Sequence, residues 1–148
     1  MAQTTGGMSF RNAVIEISTD GTTWTDISGV ANKLKVKGPE RKAGSVHTAS
    51  GDTPIVTIGK LEALEIEADL VYSEVTTEAY TVLEGYHKAA TAVRMRWSPK
   101  GTATGNYRYT TDAGYITELP PPAGDTDKAD PVMVSLAFTS PAYTKAVI

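Results

Sequence analysis

The chain has 148 residues, carries 14 Lys and Arg against 17 Asp and Glu for a formal charge of −3, and contains no Cys. That length bounds it to one domain of ordinary size, the mild negative charge excludes the broad basic field of a nonspecific nucleic-acid binder, and the missing thiols exclude a disulfide framework or a thiolate zinc site. Counts of 21 Thr, 12 Val and 8 Ile outweigh 7 Leu, a β-branched excess that suits pleated strands and predicts a mainly β fold.

Residues 1–12 lack periodicity and hold Gly6 and Gly7, which predicts an arm ordered only by something outside the domain core. They carry no apolar run of the signal-peptide kind, and no later stretch approaches the roughly 18 apolar residues of a membrane span, so neither export by a cleaved signal nor a membrane is expected. The domain itself is expected over residues 13–140. Val14, Ile15 and Ile17 precede Asp20-Gly21, after which Trp24 and Ile27 resume an apolar rhythm, predicting a hairpin of strands 13–18 and 22–28. Strict alternation then places Lys33, Lys35 and Lys37 on one face of a half-buried strand and Leu34 and Val36 on the other.

Residues 38–54, GPERKAGSVHTASGDTP, read as a 17-residue loop with at most a short extended piece around 46–49. Loops of that length in a compact domain are functional or mobile. An extended piece at 55–58 leads into a long strand at 61–72, with Leu64, Ile66, Ala68, Leu70 and Tyr72 on one face and Glu65, Glu67, Asp69 and Val71 on the other; at about 3.3 Å per residue it spans about 40 Å. Val75, Ala79, Val82, Leu83, Tyr86 and Ala90 shift to helical spacing, predicting a helix over 76–90 with Thr76 or Thr77 as its cap, Glu78 in the first turn and Lys88 in the last. Gly85 inside it costs about 1 kcal/mol relative to Ala, which tight packing against a sheet would offset. Strands at 93–98, 106–111, 114–119 and 131–140 follow, then a tail at 141–148. β-rich, helix, β-rich order predicts a sandwich or barrel with one helix over an open end or edge.

Chemistry-bearing motifs are few. Gly59-Lys60 lacks the phosphate-loop context, since Pro54 and Leu61 stand where that motif needs Gly and Ser or Thr. Gly101 to Gly105 lies between two strands and opens no helix, Asp125, Asp127 and Asp130 miss the ligand pattern of a Ca²⁺ loop at Lys128 and Ala129, and His47 and His87 are forty positions apart. Glu65, Glu67 and Glu118 supply carboxylates without any sign of a pocket that would push their pKa values apart. No enzyme activity, metal or cofactor is expected. The informative signal is charge order: seven acids and no base between Leu61 and Glu84, and five bases with one acid between Lys33 and Lys42. Such an acidic strand face is the wet side of a sheet, a surface that repels an anion, or one that meets the lysine row of a neighbouring subunit.

Taken together, the arm, the hairpin from Val14-Ile-Glu-Ile-Ser-Thr-Asp-Gly through Trp24 to Ile27, the long loop, the long strand, the single helix and the closing strand Val132 to Ser140 resemble the major tail tube proteins of long-tailed noncontractile bacteriophages. The resemblance implies a β-sandwich subunit whose strands close into a ring barrel, commonly a hexamer, with rings stacking into a hollow tube that conducts DNA from capsid to host. It implies a virion protein assembled in the host cytoplasm, partnered by itself and by tape measure, terminator and distal tail proteins, with no membrane and no specific DNA binding. On this reading Glu65, Glu67 and Asp69 line the lumen, where like charge keeps DNA sliding. Glu40, Arg41, Lys42, His47 and Asp52 of the long loop stack the rings, with Arg41 and Lys42 reaching acids of the next ring, and Lys33, Lys35 and Lys37 form a subunit-contact row. Two alternatives stand: a tube subunit of a contractile tail or secretion syringe, and a monomeric β-sandwich ligand-binding or adhesion module using Trp24, Trp97, Tyr107 and Tyr109 as a platform.

Overall fold

In the computed structural model, which describes residues 2–148, the elements run β1 (Val14–Ser18), β2 (Thr25–Asp26), β3 (Ala31–Lys37), β4 (Arg41–Val46), β5 (Ile55–Leu61), β6 (Leu64–Val71), α1 (Ala79–Lys88), β7 (Arg94–Ser98), β8 (Tyr107–Thr111), β9 (Tyr115–Glu118), β10 (Met133–Ser140) and β11 (Tyr143–Val147). Two antiparallel sheets form the body, one ordered β11-β8-β7-β1-β2 and the other β3-β6-β10-β9, while β4 and β5 pair only with each other. Alternation in β6 and β10 sets the arrangement: Leu64, Ile66, Ala68 and Leu70 turn inward beside Val134, Leu136 and Phe138, and the two strands pair from Leu64 opposite Ser140 to Val71 opposite Met133. Ile15, Ile17, Met95 and Trp97 face them from the other sheet, and Ala79, Tyr80 and Leu83 of α1 complete the core. Burying such a side chain contributes about 1.5–3 kcal/mol, so the inward rows, with one face each, hold the sheets together.

At one corner the sheets are joined. The Val93 and Gly114 backbones exchange hydrogen bonds of 2.9 and 2.8 Å, linking the start of β7 to the start of β9. On the outer face of the five-stranded sheet the Arg96 guanidinium grips Glu16 through two bonds, of 2.6 and 3.1 Å, and lies 4.2 Å from the Trp24 ring centre. That contact anchors the first hairpin.

The hairpin differs from its expected form. β2 has two residues rather than the seven of 22–28, because Asp20 Oδ1 accepts the backbone N–H groups of Thr23 and Thr22 at 2.8 Å and the Ser18 hydroxyl at 2.9 Å. These bonds wind residues 19–24 into a wide turn, with Gly21 at φ +79. The Thr23 and Thr22 amides and the Ser18 hydroxyl hold the Asp20 carboxyl well below the usual carboxylate range. A carboxyl depressed on folding contributes its full stabilisation above its unfolded pKa of about 4 and loses it progressively as pH falls from there through the depressed folded value. Asp20→Ala is therefore expected to lower the denaturation midpoint at pH 7, with the gap to the parent narrowing as the pH of the titration falls from about 4 to about 2.

The helix is shorter than its apolar spacing predicts. Thr76 and Thr77 cap nothing; the Glu78 N–H and the Thr81 hydroxyl both donate to the Val75 carbonyl, closing a turn before α1 begins at Ala79. Tyr80 rather than Val75 enters the core, edge-on to Tyr72 at 4.9 Å. Lys88 pairs with Glu84 at 3.0 Å, and His87 and Lys88 complement the negative helix end. No tight packing offsets the cost of Gly85: a Cβ there would meet open space. Gly85→Ala is thus expected to stabilise the protein by about 0.5–1 kcal/mol, read as a rise of about 1–4 °C in thermal midpoint by circular dichroism.

Three further expectations are corrected. Residues 38–54 are not one loop, since β4 pairs with β5 from Arg41 opposite Leu61 to Val46 opposite Ile55. RKAGSV has no apolar alternation to announce a strand; backbone hydrogen bonds alone make it one. The 61–72 strand is likewise interrupted at Glu62-Ala63, where Glu62 N–H bonds the Glu40 carbonyl at 2.8 Å and carries the β3–β6 ladder into the β4–β5 ribbon. The tail at 141–148 is also structured: β11 pairs along the whole of β8, from Tyr143 opposite Thr111 to Val147 opposite Tyr107.

Candidate assembly surfaces

Every residue of β4 and β5 is exposed. Among them are Val46, Ile55, Val56, Ile58 and Leu61, with Ile58 at 70 %. The pairing register puts Ile55 with its partner Val46 on one face and Val56 with Ile58 on the other, so the ribbon is apolar on both sides. A lone two-stranded hairpin is marginal in water, and apolar clusters of this kind mark interaction sites. Glu40, Arg41 and Lys42 sit at its base, whereas His47 and Asp52 occupy the 47–54 tip, about 20 Å away at the strand rise. Arg41 Nη1 donates to the Gly59 carbonyl at 3.2 Å and Lys42 pairs with Glu62 at 3.3 Å, so both cations assigned to a neighbouring ring have partners in their own chain. The Lys42 side chain is 77 % exposed, and such a surface pair contributes at most about 1 kcal/mol, which leaves it free to exchange partners.

The outer face of the four-stranded sheet brings the two charge rows together. Lys33 lies opposite Asp69, Lys35 opposite Glu67 and Lys37 opposite Glu65. Glu65 and Glu67 are exposed and Asp69 is half-buried, accepting the Ser135 hydroxyl at 2.6 Å. Among the described residues no β3 lysine comes within ion-pair distance of these carboxylates. Cross-strand opposite charges nonetheless attract, at about 0.2–1 kcal/mol each. The face therefore carries balanced stripes, and the lysine row meets the acids of its own chain before any neighbour's. On the other side of β6, Ser135, Ala137 and Thr139 of β10 continue the face without charge.

The aromatic platform does not form. Trp97 is 7 % exposed in the core, Tyr109 stacks on it at 5.6 Å, Trp24 lies under Arg96, and Lys145 covers Tyr107 at 4.1 Å. His87 Nδ1 stands 3.0 Å from the Ile116 carbonyl, an acceptor, so that nitrogen carries the proton and ties α1 to β9. Asp125 closes a local turn by accepting the Asp127 N–H at 2.9 Å.

Solved structures place this architecture. A chain of the sheath–tube complex of an extracellular contractile injection system, PVC, superposes with a TM-score of 0.68 at 10 % identity, over 97 % of this chain and 94 % of its own. The fold is the tail-tube fold. A chain from the tail of an empty gene transfer agent particle, determined with C6 symmetry, matches with a TM-score of 0.67 at 11 % identity, over 96 % and 99 % of the two chains. The SPP1 tail tube matches with a TM-score of 0.64 at 11 % identity, over 93 % of this chain and 77 % of its own. The matched chains come from a sheath–tube complex, a gene transfer agent tail and a tail tube. No protein-family model and no curated protein sequence matches the chain, so the likeness lies in the arrangement of elements.

Two surfaces of this tail-tube fold escape a reading of the residues alone. One is the β4–β5 ribbon. The other is the edge formed by β11, whose signal is limited to the alternation of Tyr143, Lys145 and Val147 after Pro141.

Proposed function

We propose that this chain is the repeating subunit of a noncontractile phage tail tube, assembling as hexameric rings that stack into a hollow conduit for DNA. The observation that carries the reading is the β4–β5 ribbon on a tail-tube fold: apolar on both sides and, among the described residues, paired with no other strand of its own chain, it is a part that only other copies complete. In this arrangement the four-stranded sheet faces the lumen. Its strands β3, β6 and β10 are the longest of the body, and the centre of its outer face holds Lys, Glu, Asp, Ser, Ala and Thr, as a water-filled channel requires. Four strands from each of six copies make about 24, more than the 16–18 that leave an aqueous channel in porins. Concentrated protein viewed by negative-stain microscopy and followed by sedimentation is expected to show rings and tubes. A lone 15.7 kDa species at every concentration ends the reading.

Glu65, Glu67 and Asp69 are the proposed lumen row, and the lysines opposite them cancel their charge in place. A balanced wall offers passing DNA neither a sticky basic track nor a long-range barrier, since screening confines each stripe to about 8 Å. Glu65→Lys with Glu67→Lys makes that wall strongly basic, and counterion release then favours adhesion of the duplex. Tubes of this variant are expected to form and to retain labelled duplex DNA in a salt-dependent way, and particles carrying it are expected to deliver DNA at least tenfold less well. Unchanged delivery by intact particles counts against the lumen placement.

A further inference from the structure

The five-stranded sheet is wider than the layer that covers it. Its core face runs Ile15, Trp97, Tyr109 and Lys145 across the pairing register of β1, β7, β8 and β11. Ile15 and Trp97 are buried and Tyr109 is half-buried, but on the last two strands the same face stands open: Tyr107, Tyr143 and Val147 are all exposed. Tyr109 lies 5.9 Å from Tyr143, and Met8 of the arm reaches the same area, where it borders a shallow depression of about 270 Å³ with Pro99, Asn106 and Tyr107. Enclosed small-molecule sites run from about 300 Å³ upward, so an open hollow of this size fits a protein surface better than a ligand.

The geometry points to the apolar β4–β5 ribbon of a second copy as the occupant of this overhang. Ribbon and overhang are both uncovered apolar β surfaces, and they match in form. Each is two strands wide, with strands of six and seven residues in the ribbon against five and five in the overhang, or about 17–23 Å long and about 10 Å across. They are different surfaces, so a contact between them is head-to-tail. Repeated from copy to copy in one direction, it propagates as a ring or a helical filament. The inference rests on the tube reading and adds its acceptor: the patch Tyr107, Tyr143 and Val147, with Lys145 beside the two tyrosines.

The absence of Cys makes the test direct. One preparation carries Ile58→Cys, a second of different tagged length carries Val147→Cys, and the two are mixed under conditions where the parent forms tubes and then oxidised. The mixed-length disulfide product is expected to dominate, and Val147→Glu, at a site 61 % exposed and outside the core, is expected to keep the parent's circular dichroism while raising the concentration needed for tubes at least tenfold. Tubes with no mixed product and an unmoved threshold for Val147→Glu overturn the acceptor and leave the tube reading standing. A product joining two Ile58→Cys chains also overturns it, in favour of ribbon-to-ribbon contact. A parent that forms no rings or tubes at all overturns both.

Discussion

Excising residues 41–61 and joining Glu40 to Glu62 through Asn-Gly is expected to yield a protein that folds and cannot polymerise. The junction already exists: the Glu62 N–H bonds the Glu40 carbonyl at 2.8 Å, the hydrogen bond that closes a two-residue hairpin turn, and Asn-Gly has the backbone preferences such a turn requires. No residue removed belongs to the core, which lies wholly in the two body sheets, Ile27, Val93, Leu119 and α1. The thermal midpoint should therefore stay within a few degrees of the parent. The variant loses the exposed side chains of Val46, Ile55, Val56, Ile58 and Leu61 and should become more soluble as a monomer. Sedimentation and negative-stain microscopy at concentrations where the parent is fully polymerised check the outcome. Long tubes from the excised protein would show that the ribbon is ornamental and that rings stack through the arm or the β11 edge.

How far the residues announce this arrangement depends on what each element has to bury. β6 and β10 alternate apolar and polar side chains over eight residues because one face packs and the other does not, and the strands of the 13–18, 93–98, 106–111 and 114–119 segments show enough of the same pattern to be legible. β4 buries nothing in its own chain, so its residues carry no record of pairing until the partner strand is in view. β11 is hidden for a related reason, since the face it shares with β8 is left uncovered. The elements missed are thus the ones without a core of their own, which are the ones proposed to complete their packing on other copies.

The charge rows were legible as rows but not as neighbours. The acids at 65–69 and the lysines at 33–37 lie about thirty residues apart, and only the antiparallel register of β3 on β6 sets Lys37 opposite Glu65 and Lys33 opposite Asp69. A sum of charge along the chain therefore overstates the acidity of the face. Net charge of a stretch and net charge of a surface differ whenever adjacent strands carry opposite signs, and the second is what a passing polyanion meets.

Gly114→Ala is expected to cost about 3 kcal/mol or more, a large share of the roughly 5–15 kcal/mol that holds a domain together. A Cβ at this position would collide with the Thr139 carbonyl oxygen and fall 2.9 Å from both the Ser140 Cα and the Thr139 carbonyl carbon, all of them backbone atoms at the end of β10. Neither side can give way. Gly114 is pinned to Val93 by its two backbone hydrogen bonds, and the Ser140 hydroxyl, completely buried, lies 2.9 Å from the Asp112 carbonyl and 3.0 Å from that of Ala142. Relief requires parting β9 from β10 or breaking the corner that joins the two sheets, so the thermal midpoint should fall by about 6–12 °C. Gly85→Ala makes the same chemical change where a Cβ meets nothing, and its effect should have the opposite sign. Parallel thermal and urea denaturation of the two variants separates them: a Gly114→Ala protein as stable as the parent would mean that the corner yields, and the spacing of the two sheets, on which the width of the proposed tube wall depends, would then have to be set elsewhere.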